Sequence, residues 1–202
     1  MISRTYLKLP DPKRDHIQGG IDAPIALLEY GDYECPVCGE VQPIVREIQR
    51  RLGDDLCFAF RHFPLTSVHP HAEHAAEAAG EQAAFWRMHE MLFANQDALD
   101  DESLAEYAAA LGFDEIRFIQ EVVSGAHAYR IREDFSSGVR AGVNGTPCFF
   151  INAERYDGAR ALEPLLAAVS HPAVVTENDQ SNQKFAIRVG KRAGTLARDP
   201  IV

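Results

Sequence analysis

Two cysteines separated by two residues, Cys35-Pro36-Val37-Cys38, are the part of this chain best equipped for covalent chemistry. At that spacing a thiol pair either closes a reversible disulfide or supplies half of a tetrahedral zinc site. An apolar run of strand length, Ile25 to Tyr30, precedes the pair, Gly31-Asp32 breaks it, and Val41, Ile44, Val45 and Ile48 follow at helical spacing. The order is strand, turn, helix, with both thiols at the helix start. Pro36 suits the first helical position, where its missing N–H would be unpaired anyway, so Cys35 falls at the N-cap and Cys38 about one turn in. There a thiolate faces unpaired backbone N–H groups and the positive end of the helix dipole, which favour the ionised, reactive form. Cys38, turned against its own helix, is expected to hold its proton more firmly and to act as the resolving thiol. Zinc would need two further ligands, and His69, His71 and His74 are the candidates. They precede or open a helix rather than forming a second ligand pair, and no second CxxC exists.

A second stretch lies over a hundred residues on, at Val143-Asn144-Gly145-Thr146-Pro147-Cys148-Phe149-Phe150-Ile151. A Gly-Thr-Pro turn that feeds an aromatic and β-branched strand is a place for a cis proline, since proline is tolerated at the first residue of a strand and X-Pro bonds are the ones that go cis. Glu29, Cys35-Pro36-Val37-Cys38 and Thr146-Pro147, in this order and separation, resemble the thioredoxin fold, specifically its DsbA-like branch, over roughly Ile25 to Val169. The resemblance implies an α/β fold: a thioredoxin-like mixed sheet with an inserted all-helical subdomain. It implies that Cys35 is the exposed nucleophile, Cys38 its partner, and Pro147 the cis proline lying against the disulfide. Thr146 would offer backbone hydrogen bonds to a substrate segment, and Glu29 would exchange a proton with the resolving thiol. Pro36-Val37 lacks the His that some oxidising relatives carry between the cysteines. Glu29 also has a warrant of its own, because a carboxylate closing an apolar run is costly to bury without a partner or a task. The bland alternative is an exposed Glu at a strand end.

The elements that must position these residues follow from the pattern. Residues 1–24 read as an N-terminal lead able to dock on a sheet edge, 25–66 and 142–170 as the thioredoxin-like core, 67–141 as a helical insertion, and 171–202 as a tail or edge-strand extension. Leu56 to His62 makes a second strand parallel to the first. The alanine-rich region divides into candidate helices at 72–83, 85–95, 101–111, 114–123 and 127–141. After the strand ending at Ile151, Asn152-Ala153-Glu154 turns, Arg155 to Gly158 returns, and Leu162 to Val169 closes as an amphipathic helix. Lys184 to Val189 alternates like one short strand. In the thioredoxin-like order Cys57 and Cys148 flank the first strand on opposite sides, on the order of 9 to 10 Å apart, too far to bridge without backbone movement. Cys57 reads as a core residue, and Cys148 as a strand-core residue or an additional redox thiol. Trp86, Met88, Met91, Leu92 and Phe93 fit a buried helix, with a peptide-binding surface as the alternative. One of His69, His71 and His74 could tune Cys35 as a nearby cation.

Among 202 residues, a hydrophobic fraction of 46% and a charged fraction of 25% describe an ordinary globular protein, and the net charge of −10 speaks against a nucleic-acid surface. No run approaches the roughly 20 apolar residues of a membrane span, and the polar first residues lack a signal-peptide core. A cytoplasmic protein is expected, or a periplasmic one if a leader has been removed. Four cysteines make no disulfide scaffold. The expected function is a protein-disulfide oxidoreductase acting through a mixed disulfide on protein or peptide thiols and disulfides, recharged by a redox partner and needing no cofactor. The alternative is a peptide-binding module gated by the dithiol without turnover.

Overall fold

The computed structural model describes residues 7, 9–65 and 68–171. Five strands, β1 (His16–Gln18), β2 (Ile25–Gly31), β3 (Leu56–His62), β4 (Cys148–Ile151) and β5 (Glu154–Tyr156), make one sheet in the order β1-β3-β2-β4-β5. β2 runs parallel to β3 and antiparallel to β4, and β1 and β5 add antiparallel edges. β3 is buried along its whole length and β2 over its last five residues. Both read as apolar runs rather than alternating strands because both sheet faces are covered.

The first crossover is α1 (Pro36–Leu52), which turns Cys38, Val41, Val45 and Ile48 inward. It packs with α7 (Leu162–Ser170) on one face, around Leu27, Phe58, Phe149, Leu165 and Val169. On the opposite face Leu28, Tyr30, Phe63, Cys148 and Phe150 are buried together, with Phe135 of α6 (Ala128–Arg140) against them. Between β3 and α6 come α2 (Ala72–Glu81), α3 (Phe85–Ala94), α4 (Asp101–Leu111) and α5 (Glu115–Ser124). They share a core of alanines with Phe85, Met88, Leu92, Leu104 and Phe118, entered from the sheet side by Tyr33, Cys38 and Phe60. Asp100 and Asp114 cap the starts of α4 and α5, and left-handed Gly112 and Gly125 end them, so the helix limits are written in residues whose conformational preferences are strong.

The N-terminal lead does dock on the sheet edge, as β1 beside β3, with His16 opposite Phe60. α2 stops at Glu81, short of residue 83, where Ala83 adopts a φ of 57°. The return strand begins at Glu154, because Asn152 and Ala153 alone make the turn with φ of 50° and 69°, the pattern of a two-residue hairpin loop. Cys57 and Cys148 flank β2 on opposite sides and also lie at opposite ends of it, opposite Ala26 and Tyr30 respectively. Met88, Leu92 and Phe93 are buried and Trp86 and Met91 partly so, which makes that stripe core. Lys184 to Val189 lies outside the described residues.

Candidate active site

The turn between β2 and α1 is built by its own polar side chains. The Asp32 carboxylate accepts from the Glu34 N–H at 2.8 Å and from the Leu65 N–H at 2.8 Å, which ties this turn to the loop after β3. The Gln96 side-chain amide, from the segment between α3 and α4, donates to the Tyr33 and Cys35 carbonyls, each at 2.8 Å. Cys35 is the N-cap of α1 in extended conformation, with Pro36 behind it at the first helical position, and it receives the Cys38 and Gly39 N–H groups on its carbonyl. Its sulfur is half-buried, whereas Pro36 and Val37 are exposed and Cys38 is fully buried. The Thr146–Pro147 bond is cis, and the Cys35 thiol donates to the Thr146 carbonyl at 3.4 Å. Five of the seven residues singled out in the sequence, Cys35, Pro36, Val37, Cys38 and Thr146, therefore meet at one place, and Pro147 follows directly on Thr146.

Glu29 is wholly buried, not an exposed strand end. Burial pushes its carboxyl up to about 8, against which the Gln42 amide works by donating to both oxygens, at 3.3 and 3.4 Å. The same nitrogen lies 3.4 Å from the Cys38 carbonyl. Burial, and after it the Glu29 charge, pushes the Cys38 thiol up. Behind Gln42 stand His89 and Tyr33, and neither had been singled out in the sequence. A signal was present: Gln42 lies between Cys38 and Val45 on the inward stripe of α1, and His89 between Phe85 and Leu92 on that of α3. A polar residue on a buried stripe needs a partner.

The histidines after β3 do not join the cysteines. His69 bonds Glu34 at 2.9 Å and His71 bonds Asp101 at 2.6 Å, while His74 sits on α2 with its Nδ1 buried and unpartnered. The grouping of potential ligands close enough to share an ion, among the described residues, is His62, Glu77 and Asp134, so a zinc site built from Cys35, Cys38 and those histidines does not assemble. Cys148 packs on the Tyr30 face of the sheet and Cys38 in the helical core with Phe60. Burial pushes the thiols of Cys57 and Cys148 up, so neither is prepared as a nucleophile.

His62 belongs to a buried ion cluster whose members lie far apart along the chain. Its Nε2 is 2.8 Å from Glu77, which also meets His16 at 3.1 Å. Asp134 takes Arg14 at 2.6 Å, Arg130 at 2.8 Å and the His62 N–H at 3.2 Å, and Arg61 pairs with Asp15 at 2.8 Å. Arg14 and Arg130 both hold Asp134 Oδ1 and His16 and His62 both hold Glu77, so the cluster reads as a clamp joining the N-terminal segment, β3, α2 and α6.

The chain resembles known proteins in sequence and in fold. The chain is 44% identical over 163 residues to the Na(+)/H(+) antiporter NhaA 1 of Salinispora arenicola, an alignment covering 79% of this chain and 25% of that protein. It is 40% identical over 173 residues to NhaA 1 of a Mycobacterium species, covering 83% and 28%. The chain thus spans little more than a quarter of the curated relatives it matches. Among solved structures, oxidised BdbD from Bacillus subtilis superposes with a TM-score of 0.72 at 21% identity, over 80% of this chain and 94% of that one. Wolbachia pipientis alpha-DsbA1 gives 0.71 at 22% identity, over 83% and 94%. Among the described residues no helix is long and apolar enough to cross a membrane. A family model described as Thioredoxin matches residues 11–171, and the chain belongs to the thioredoxin family, with the fold of its DsbA-like branch.

Proposed function

We propose that the chain is a thiol–disulfide oxidoreductase that exchanges disulfides with protein thiols through Cys35 and Cys38. The observation that carries this reading is the half-buried Cys35 sulfur at a helix start, 3.4 Å from the carbonyl that precedes Pro147, with a second, buried thiol one turn behind it. The Cys35 thiolate attacks a substrate disulfide: a Cys35–substrate S–S bond forms, and one substrate sulfur leaves as thiolate. Cys38 then attacks Cys35, its proton passing to Glu29. The Cys35–Cys38 bond forms and the second substrate sulfur is released, so that two thiols are oxidised and one disulfide is reduced. The reverse sequence uses the same atoms, and a redox partner returns the pair to its starting state. Val37, Leu65 and Val68 are exposed, and the loop carrying the last two is tied to the active-site turn through Asp32 and through His69 to Glu34. An apolar rim of that kind suits extended protein segments, which the Thr146 backbone would hold beside Pro147.

Insulin reduction and refolding of a scrambled disulfide substrate test the reading. Cys35→Ser is expected to abolish both, and Cys38→Ser to accumulate the mixed disulfide with substrate. Turnover that survives Cys35→Ser would end it.

The relatives favour one reading of the partner, because this stretch makes up about a quarter of proteins named as Na(+)/H(+) antiporters. On that ground we infer that the dithiol serves an antiporter of this class. Cys38→Ser should then trap such a transporter as a mixed disulfide, and its absence from the trapped species would reject this partner and leave the chemistry standing.

A further inference from the structure

Behind Cys38, four buried side chains from separate parts of the fold form one line: Tyr33 from the active-site turn, His89 from α3, Gln42 from α1 and Glu29 from β2. None is more than 5% exposed. The line has a direction. An ionised carboxylate only accepts, so the Gln42 amide must present its N–H side to Glu29, as its distances of 3.3 and 3.4 Å place it. The Gln42 oxygen then faces His89 Nε2 at 3.3 Å and needs a donor there. A neutral imidazole has one N–H; put on Nε2, it leaves Nδ1 to accept from the Tyr33 hydroxyl at 3.0 Å. Every donor meets an acceptor, and turning the amide around would set its oxygen against the carboxylate.

The ring is kept neutral by its surroundings. Phe60, Phe85, Trp86 and Phe93 enclose it at centroid distances of 4.6, 5.8, 5.1 and 4.9 Å. Burial, with the charges of His62, His16 and Arg46, holds its proton affinity far below that of a free imidazole. Glu73 and Glu77 face Tyr33, whose hydroxyl stays protonated, and Cys38 faces Glu29.

We propose that His89 is a positioning residue for the resolving half-reaction: by holding the Gln42 oxygen it keeps the amide N–H turned to Glu29, and so sets how readily that carboxylate accepts the proton of Cys38. This rests on the reading of Glu29 as the acceptor of that proton. Without the Nε2–H, the amide is free to turn, the ionised carboxylate loses its donor, and Glu29 keeps its proton to higher pH.

The test is the rate at which Cys38 displaces a thionitrobenzoate group from Cys35, followed across pH. His89→Phe and His89→Met are expected to raise the midpoint of that profile by about one pH unit and to slow displacement at neutral pH about tenfold. His89→Gln, whose amide carries a donor to the position of Nε2, should restore the wild-type midpoint. Unshifted midpoints in His89→Phe or His89→Met, or a His89→Gln profile displaced as far as theirs, would overturn the proposal. Should the apolar variants fail to fold, the His89→Gln profile decides it alone. Should the wild-type chain show no displacement by Cys38, the oxidoreductase reading is what falls.

Discussion

Cys38 and Glu29 are both fully buried on neighbouring elements, and the Glu29 charge makes a thiolate at Cys38 more costly still. A proton passed from the thiol to the carboxylate leaves the pocket with the same single negative charge it began with, which is the arrangement a resolving thiol needs. The same burial costs stability. Because the folded carboxyl is pushed up to about 8 from its ordinary 4.5, the folded state binds more protons than the unfolded one between those values. Stability contributed by Glu29 is therefore complete below pH 4.5 and lost as pH rises towards 8. Glu29→Gln should flatten this slope and, in denaturant titrations at alkaline pH, unfold later than wild type by a few kcal/mol. Cys35, Cys38, Pro147 and Glu29 were legible because each residue type is constrained at its position: thiols at fixed spacing, proline at a strand start, a carboxylate ending an apolar run. His89 and Gln42 were not, because their meaning lies in a contact between α1 and α3 that spacing along the chain does not encode.

At the scale of elements, helix limits were legible to within a few residues from the Asp caps and Gly stops of α4 and α5. β1 was not: three residues have no periodicity to read, and their register is imposed by the edge of β3. Packing between elements is equally silent in sequence. Gly138 lies in α6 where a methyl group would come within 2.6 Å of the Phe63 ring and 3.1 Å of the Tyr30 ring, both buried. Alanine has the better helix propensity by about 1 kcal/mol, yet two packed aromatic rings have little room to yield. Gly138→Ala is accordingly expected to lower stability by roughly 1–3 kcal/mol in chemical denaturation. The Gln96 amide acts across a similar gap, from the helical segment to the backbone that carries Cys35.

For the molecule as a whole, the ion cluster around Asp134 fastens the N-terminal segment to β3, α2 and α6. Asp134 is fully buried and takes two arginines and a backbone N–H, so its loss leaves uncompensated positive charge inside. Asp134→Ala is expected to cost about 3–5 kcal/mol, read from the midpoint of denaturant unfolding. The dithiol, too, is tied to the rest of the fold. The Cys38 sulfur is among the atoms that fill the interior of the helices, in one core with Phe60, the alanines of α2 and Met88 and Leu92 of α3. Cys35 packs against the same interior, so a change at either sulfur is also a change in what fills the space between the helices.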